Sequence, residues 1–495
     1  MRRICILTVM LSLFWGREAL CARAQAGPVD WSRPVNLSNT PQNSAHPTIV
    51  ADDYGYVHVF WSEEVGGRPM GPGDTVSNTG NTILYKRWDG VSWSPTVDIL
   101  FVPGEVLAEF PAVDIDAENR LHLVWEAISN LYYSSAPSSQ AASAHAWTKP
   151  VVLANNTAAV AWGSDIAVDA HGGLHVIYTT RGDDAGIYYI RSMDDGTSWQ
   201  LPMKLSEPFA SLEDSFSVVE IIADHLGKLH AVWQTSQAQG YGQAIYYARS
   251  TDRGESWGRP VQLGWRDPED YEVAWPYLTA VAESELHLVY VDGPGIGSRG
   301  RYHRVSEDGG KTWTRPFHIV TEMVGVNGYV VPIADGAGQI HLIINMRTKD
   351  TQTVGIYYAR WSGNGWSPVE PVDVSSPAAP SAHHMAGTLR RGNEVHVTYT
   401  QLAGGEIWHI YGVIRSVAAD PVLPVPSPQK PVPSIEVTET ALPASGHPSD
   451  ATPQPTPTLE SRSSLTSRVA SHPLVPAVGV PLLLVITAVV WARLR

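Results

Sequence analysis

The sequence predicts an all-β protein, a seven-bladed β-propeller, on three observations. A phrase of one hydrophobic residue, a histidine and further apolar residues recurs seven times along the middle of the chain. The composition, with 18 Trp against only 7 Phe, 42 Gly and 37 Pro, is that of many short strands joined by tight turns. A segment near the N-terminus supplies the one strand that the last repeat lacks. Six blades is the alternative count.

The repeat histidines are His58, His122, His175, His230, His287, His341 and His396, spaced by 64, 53, 55, 57, 54 and 55 residues. That period fits a four-stranded propeller blade with generous loops. The repeat around His230 shows the order most fully. Val218 to Ala223 reads as one strand, Asp224 to Gly227 as a turn and Leu229 to Trp233 as a second strand. Ala244 to Ser250 reads as a third strand, Thr251 to Ser256 as a turn and Trp257 to Leu263 as a fourth. Identical placement of the histidines implies a packing role, each ring nitrogen bonding to a neighbouring blade.

The last repeat offers three strands, Met385 to Leu389, Val395 to Tyr399 and Ile407 to Ile414, and then runs into a proline-rich stretch. Its missing strand stands at Trp31-Ser-Arg-Pro-Val-Asn-Leu37, which matches Trp257-Gly-Arg-Pro-Val-Gln-Leu263. Pairing the two ends closes the ring and removes open sheet edges.

Residues 1–26 read as a signal peptide: Arg2 and Arg3, an apolar run from Ile4 to Trp15, and a small-residue cleavage site at Ala24-Gln25-Ala26. Both cysteines, Cys5 and Cys21, leave with it, so the mature chain has no disulfide and depends on a large core. The propeller occupies 27–418. Residues 419–472, rich in Pro, Ser and Thr, form a disordered stalk that reaches at most about 150 Å at roughly 3.1 Å per residue. Residues 473–495 hold an uncharged run, Leu474 to Ala492, long enough to span a bilayer, followed by Arg493 and Arg495 on the cytoplasmic side. The expectation is a single-pass cell-membrane protein with its propeller outside. The formal charge is −15, and loss of a net +3 with the signal makes it −18, which excludes nucleic acid and anionic lipid as partners.

Three turns between third and fourth strands share one pattern. They are Ser192-x-Asp194-x-Gly196-x-x-Trp199, Ser250-x-Asp252-x-Gly254-x-x-Trp257 and Ser306-x-Asp308-x-Gly310-x-x-Trp313. A short carboxylate accepts backbone N–H bonds there, Gly supplies positive φ and Trp covers the turn. Degenerate copies stand at Trp88 to Trp93 and Trp361 to Trp366. The pattern resembles the Asp boxes of the sialidase-like superfamily of bacterial neuraminidase repeats, over roughly residues 27 to 418. The resemblance implies that these Asp, Gly and Trp residues are structural and lie away from the ligand face. It also implies an exo-sialidase chemistry of three arginines, an Asp acid/base and a Tyr activated by Glu. No Arg-Ile-Pro occurs in this chain, and the family's sialidases have six blades against the seven repeats here.

The opposite face takes the loops that precede each first strand and those between second and third strands. The first set offers His46, Glu109, Trp162, Asp165, Glu213, Asp214, Glu269, Asp270, Tyr271, Trp275, Asn327, Tyr329, His383 and His384. The second offers Glu63, Glu64, Arg68, Glu126, Arg181, Asp183, Arg299, Arg301, Arg347 and Asp350. Aromatic rings stack on sugars and arginine grips carboxylates, so Arg301, Arg347, Trp275 and Arg181 are the expected substrate-binding residues. Glu269, Asp270 and Tyr271 form the densest cluster and are the catalytic candidates. His46, His383 and His384 are the only metal candidates, but no ligand-spacing signature accompanies them, and neither metal nor cofactor is expected. Three functions fit: recognition of an extracellular glycan or glycoprotein, glycoside hydrolysis of sialidase type, and protein binding by a scaffold.

Overall fold

A computed structural model describes residues 31–64, 82–100, 108–127, 130–155, 163–180, 184–206, 215–236, 242–266, 271–281, 284–294, 300–351, 353–375, 382–403, 407–417 and 421–425. These form seven four-stranded antiparallel sheets. The expected signal peptide, the stalk beyond residue 425 and the expected membrane span lie outside them. Among the described residues no helix is long and apolar enough to cross a membrane.

Blades one to six use their strands in chain order from the central channel outward, and blade seven does so for its first three. The seven innermost strands are Ser44–Ala51, Glu109–Ile115, Ser164–Val168, Ser215–Ala223, Tyr271–Ala280, Met323–Ala334 and His383–Arg390. In blade four they are followed by Leu229–Ser236, Gly242–Ser250 and Val261–Trp265. The fourth strand starts later than the sequence suggests. Pro260 has no N–H to give the ladder, so Trp257 to Pro260 complete the turn and pairing begins at Val261↔Tyr247. Blade seven closes as expected: Val35 pairs with Gly412 and Asn36 with Tyr411, and Leu37 N–H donates to Ile410 C=O at 2.7 Å. Past the last strand the chain stays on the propeller, Val422 and Val425 donating to the carbonyls of Arg391 and Asp53, each at 2.8 Å.

The repeat histidines are fully buried, and their bonds correct the sequence reading: the partners belong to the histidine's own blade. In blade three, His175 Nε2 donates to Asp169 Oδ2 at 3.1 Å and its Nδ1 accepts from the Tyr189 hydroxyl at 2.7 Å. Blades one, two, four and six repeat this with Asp52 and Tyr85, Asp116 and Tyr133, Asp224 and Tyr247, and Asp335 and Tyr358. Burial pushes the His58, His175 and His341 pKa values down. It pushes the tyrosine values up, Tyr133 to about 12. The neutral ring between a carboxylate and a protonated phenol is the arrangement both directions favour. The other oxygen of each Asp caps the hairpin turn, as Asp169 Oδ1 does for Gly173 N–H at 2.9 Å.

The tyrosine carries the link to the next blade. Tyr133, Tyr189 and Tyr247 meet Trp199, Trp257 and Trp313 edge to face, with centroids 5.1, 5.0 and 5.2 Å apart. A Cβ on Gly254 would stand 1.7 Å from the Tyr189 hydroxyl, and one on Gly310 equally close to that of Tyr247. The box glycine is therefore required for close approach as well as for its positive φ. Within each box the chemistry is as expected: Asp252 Oδ1 accepts Ser256 N–H at 3.0 Å and Ser250 Oγ accepts Gly254 N–H at 2.8 Å. Trp31 of the closing strand takes the same place on Tyr358, at 5.7 Å.

Two outcomes check this frame. Deleting residues 27 to 38 strips the fourth strand and Trp31 from blade seven, so the domain loses stability cooperatively and its Tm falls by many degrees. A melt within a degree or two of the intact chain refutes closure as a stabilising element. In a paired test, Gly172→Ala meets no atom within 4 Å and carries only the cost of a φ of +78°, about 1 kcal/mol. Gly254→Ala, at a φ of +77°, adds the tyrosine clash and costs several times more in urea unfolding.

Candidate functional site

The innermost strand of a blade pairs on one side only, and its free edge faces the channel. In six blades that strand carries a bulge, where pairing slips between Ala45 and Thr48, Glu109 and Ala112, Ser217 and Val219, Ala274 and Tyr277, Gly325 and Val330, and His383 and Ala386. Five non-glycine residues in these bulges have left-handed backbones: His46 (φ 53°), Phe110 (50°), Val218 (47°), Trp275 (56°) and His384 (44°). Each stands twelve residues before its repeat histidine. Tyr329 holds this place in blade six and Gly163 in blade three. Left-handed backbone at bulky residues costs on the order of 1–3 kcal/mol apiece and gathers at functional sites.

The bulges aim five rings into one arc over five blades. Phe110 meets His46 with centroids 4.0 Å apart, His46 meets His384 at 4.2 Å, His384 meets Tyr329 at 5.3 Å and Tyr329 meets Trp275 at 5.3 Å. Side chains of the preceding blade hold the bulges of blades five and seven. Gln234 Oε1 accepts Trp275 N–H at 2.8 Å, and Asn345 Nδ2 donates to Ala382 C=O. Blades three and four, with Gly163 and Val218, leave the arc open.

Two residues further along the strands is a second layer. It reads Thr48, Ala112, Asp165, Glu220, Tyr277, Val331 and Ala386 around the ring, so its polar side coincides with the gap above. A cavity of about 140 Å³ lies here, lined by His46, Phe110, Ser164, Asp165, Glu220 and Tyr277 with their neighbours. Asp165 Oδ2 accepts Ile221 N–H of the next blade at 2.9 Å, and Glu220 Oε2 accepts Leu278 N–H of the blade after. Asp114, deeper in the channel, does the same for Val168 N–H at 2.7 Å. These carboxylates satisfy the free edges of the inner strands. Burial pushes Asp165 up to about 7, Asp114 up to about 6 and Glu220 well above the usual carboxylate range. It pushes His46 down to about 3.

Of the expected substrate-binding residues, Trp275 stands in the ring arc. Arg301 is displaced from expectation: it lies within the strand Gly300–Ser306 rather than in a loop, and it is fully buried. Its Nη2 donates to Asn345 C=O at 3.2 Å, and a Cβ on Gly325 would meet its Nη1 at 2.3 Å, so it packs between blades five and six. Arg347 is half-buried in the strand Ile340–Thr348. Tyr271 begins an inner strand, while Glu269, Asp270 and Arg181 lie outside the described residues. So do Trp162, Glu213, Asp214, Arg68, Asp183 and Arg299. Glu63, Glu109 and Glu126 are buried, and Glu63 accepts from Trp61 Nε1 at 3.0 Å. The metal candidates His46 and His384 come together, but no group of three or more His, Cys, Asp or Glu among the described residues is placed to hold an ion. Phe110, Asp114, Ser164, Val218, Glu220 and Tyr277 are the residues sequence reasoning missed. The signal for Phe110 and Val218 was the fixed offset from the repeat histidine, reinforced by His46-Pro47, Phe110-Pro111 and Trp275-Pro276.

No family model matches the chain, and no curated protein matches it in sequence. Solved structures do. A protein of unknown function from Dyadobacter fermentans aligns over 79% of this chain and 99% of its own, at 15% identity and a TM-score of 0.50. A polysaccharide lyase, an ulvan lyase, aligns over 77% and 95%, at 10% identity and a TM-score of 0.54. A sialidase from Streptococcus pneumoniae aligns over 78% and 70%, at 12% identity and a TM-score of 0.45. The first two likenesses show the fold: the chain is a seven-bladed propeller built on Asp boxes.

The raised carboxyl of Asp165 gives a pH test. Its folded pKa lies above the unfolded value near 4, so the folded state loses stability as pH rises from about 4 to about 7. Asp165→Asn keeps an acceptor for Ile221 N–H and removes that loss. The variant therefore gains on wild type between pH 5 and pH 8, by at least about 1 kcal/mol, read as a difference in Tm. A gap that stays constant across this range shows that Asp165 ionises freely.

Proposed function

We propose that the protein is an exported, surface-tethered propeller that recognises extracellular glycans at the channel mouth, on the arc of rings from Phe110 to Trp275. One observation carries the reading: five rings from five blades held in contact, four of them on left-handed backbone. Flat apolar faces above hydrogen-bonding groups are what a sugar ring demands. The ulvan lyase that shares the fold has been solved bound to a disaccharide repeat of glucuronate and sulfated rhamnose. Export rests on the residue 1–26 pattern, and tethering on the 419–472 stalk and the 473–495 span; protease shaving of intact cells checks both.

Asp165, Glu220 and Tyr277 in one cavity favour a second reading, glycoside hydrolysis. A carboxyl with a pKa of about 7 is suited to donate a proton to a leaving oxygen. Turnover of a fluorogenic glycoside panel that Asp165→Asn abolishes establishes this reading over simple binding.

For recognition itself, Trp275→Ala and Phe110→Ala each weaken binding to a polysaccharide array about fivefold to tenfold while the fold persists. Asp252→Ala, on the Asp-box face, leaves binding unchanged. The reverse pattern places the ligand on the Asp-box face.

A further inference from the structure

The cavity under the ring arc is more selective than a stacking surface, and its lining states what it selects. Its two walls differ. Blades one, two and seven line it with Thr48, Ala112 and Ala386 beneath the rings of His46, Phe110 and His384. Blades three to five line it with Ser164, Asp165, Glu220 and Tyr277. The polar wall stands under Gly163 and Val218, the two places where no ring covers the channel. A ligand is thus admitted over blades three and four and meets hydrogen-bonding groups on that side and apolar surface on the other.

Three polar atoms wait for partners. Both ring nitrogens of His46 and the hydroxyl of Ser164 are buried and make no hydrogen bond with the described protein. His46 and Ser164 are each only 5% exposed. A buried donor or acceptor left unmade costs on the order of 1–3 kcal/mol, and native proteins leave few of them without a water or a ligand to serve.

We propose that this cavity binds the uncharged, hydroxyl-rich terminal unit of a glycan end-on and rejects termini bearing carboxylate or sulfate. The inference rests on the glycan reading above and narrows it. No lysine or arginine is among the described lining residues, so a buried anion finds no counter-charge and leaves its hydration unreplaced. Asp165 and Glu220 repel it if ionised, and if protonated, as their burial favours, they add donors for sugar hydroxyls. A neutral His46 ring offers one donor and one acceptor, matching a hydroxyl that both gives and takes. At about 140 Å³ the space is below that of sites for drug-sized ligands, so it takes one terminal unit while the rest of the chain lies on the rings.

The test uses the full chain and methyl glycosides as probes, neutral hexoses, deoxyhexoses and pentoses against glucuronate and sialoside, with affinities taken by saturation-transfer NMR. At least one neutral glycoside binds, with an affinity unchanged between 20 mM and 500 mM NaCl, and the anionic ones bind at least tenfold more weakly. His46→Phe, which keeps the ring as Phe110 does, and Ser164→Ala each reduce neutral binding about tenfold and leave the far-UV spectrum and Tm in place. A glucuronate or sialoside that binds best and weakens with salt overturns the proposal. So does a neutral affinity indifferent to both substitutions, or a glycoside-soaked crystal with only waters on His46 and Ser164. If polysaccharide binding still depends on Trp275 while His46→Phe has no effect, the channel-mouth reading stands and the terminal pocket alone falls. If no glycan of either charge binds, both fall.

Discussion

The structure depends on one buried histidine per blade whose Nε2 is always held by a carboxylate of its own blade and whose Nδ1, in every blade but the seventh, is bonded to the third strand. The ring joins three elements at once: the second strand that carries it, the first hairpin through an Asp six residues earlier, and the third strand through a Tyr. The Asp is committed twice, since its second oxygen caps the turn, so the histidine and the hairpin cannot be altered separately. The Tyr then presses on the glycine and tryptophan of the next Asp box, which converts a contact inside one blade into register between two. The two blades that break the pattern show what it requires. Blade five has Val281 at the Asp position and His303 at the Tyr position, and Glu285 takes over the Nε2 contact at 2.8 Å. Blade seven has Arg390 and Gly412 there, and Glu394 serves His396. In both, the carboxylate moves to the residue two before the histidine, so the charge partner is preserved while its position is not.

With the frame fixed at the histidine, the inner strand is free to vary toward the channel. The residue twelve positions earlier is a ring in five blades, a valine in one and a glycine in one, and the residue ten positions earlier is polar mainly where the ring is missing. A symmetric scaffold thereby presents an asymmetric mouth. The Asp boxes contribute nothing to that asymmetry, because their three full copies fall in blades three, four and five as turn caps with local partners.

The blade count, the closing strand and the Asp-box turns were legible in the sequence because each depends on local chemistry repeated at a fixed period. The fourth-strand start was misplaced by four residues because apolar content was read through Pro260, whose missing N–H decides the matter. The histidine partners were misassigned because a mid-strand polar residue says that a bond exists and not which strand supplies it. The site was harder for a different reason. Loops rich in charge drew attention to Glu269, Asp270 and Arg181, whereas the rings stand on strands, at bulges that are left-handed at four of the five and leave no single-residue signal. His46, Trp275, Tyr329 and His384 were found individually. Their common offset, which also implicates Phe110 and Val218, emerges only when the repeats are aligned on the histidine.

The location of the site on strands rather than loops also accounts for its strain. A bulged, left-handed residue persists only when its surroundings over-determine it, and here Gln234 bonds the Trp275 N–H and Asn345 the Ala382 carbonyl from the blade before. The bulges of blades five and seven are thus tied to the blade before them. The rings are preorganised, so a ligand that stacks on them does not also have to order them. The carboxylates beneath belong to the same economy of bonds: Asp114, Asp165 and Glu220 each satisfy a free edge N–H in the following blade, and the burial that this requires is what raises their pKa values. Groups placed to hold the ring together are thereby shifted toward their protonated, hydrogen-bond-donating forms, so that the stability of the inner wall and its chemistry have a single origin.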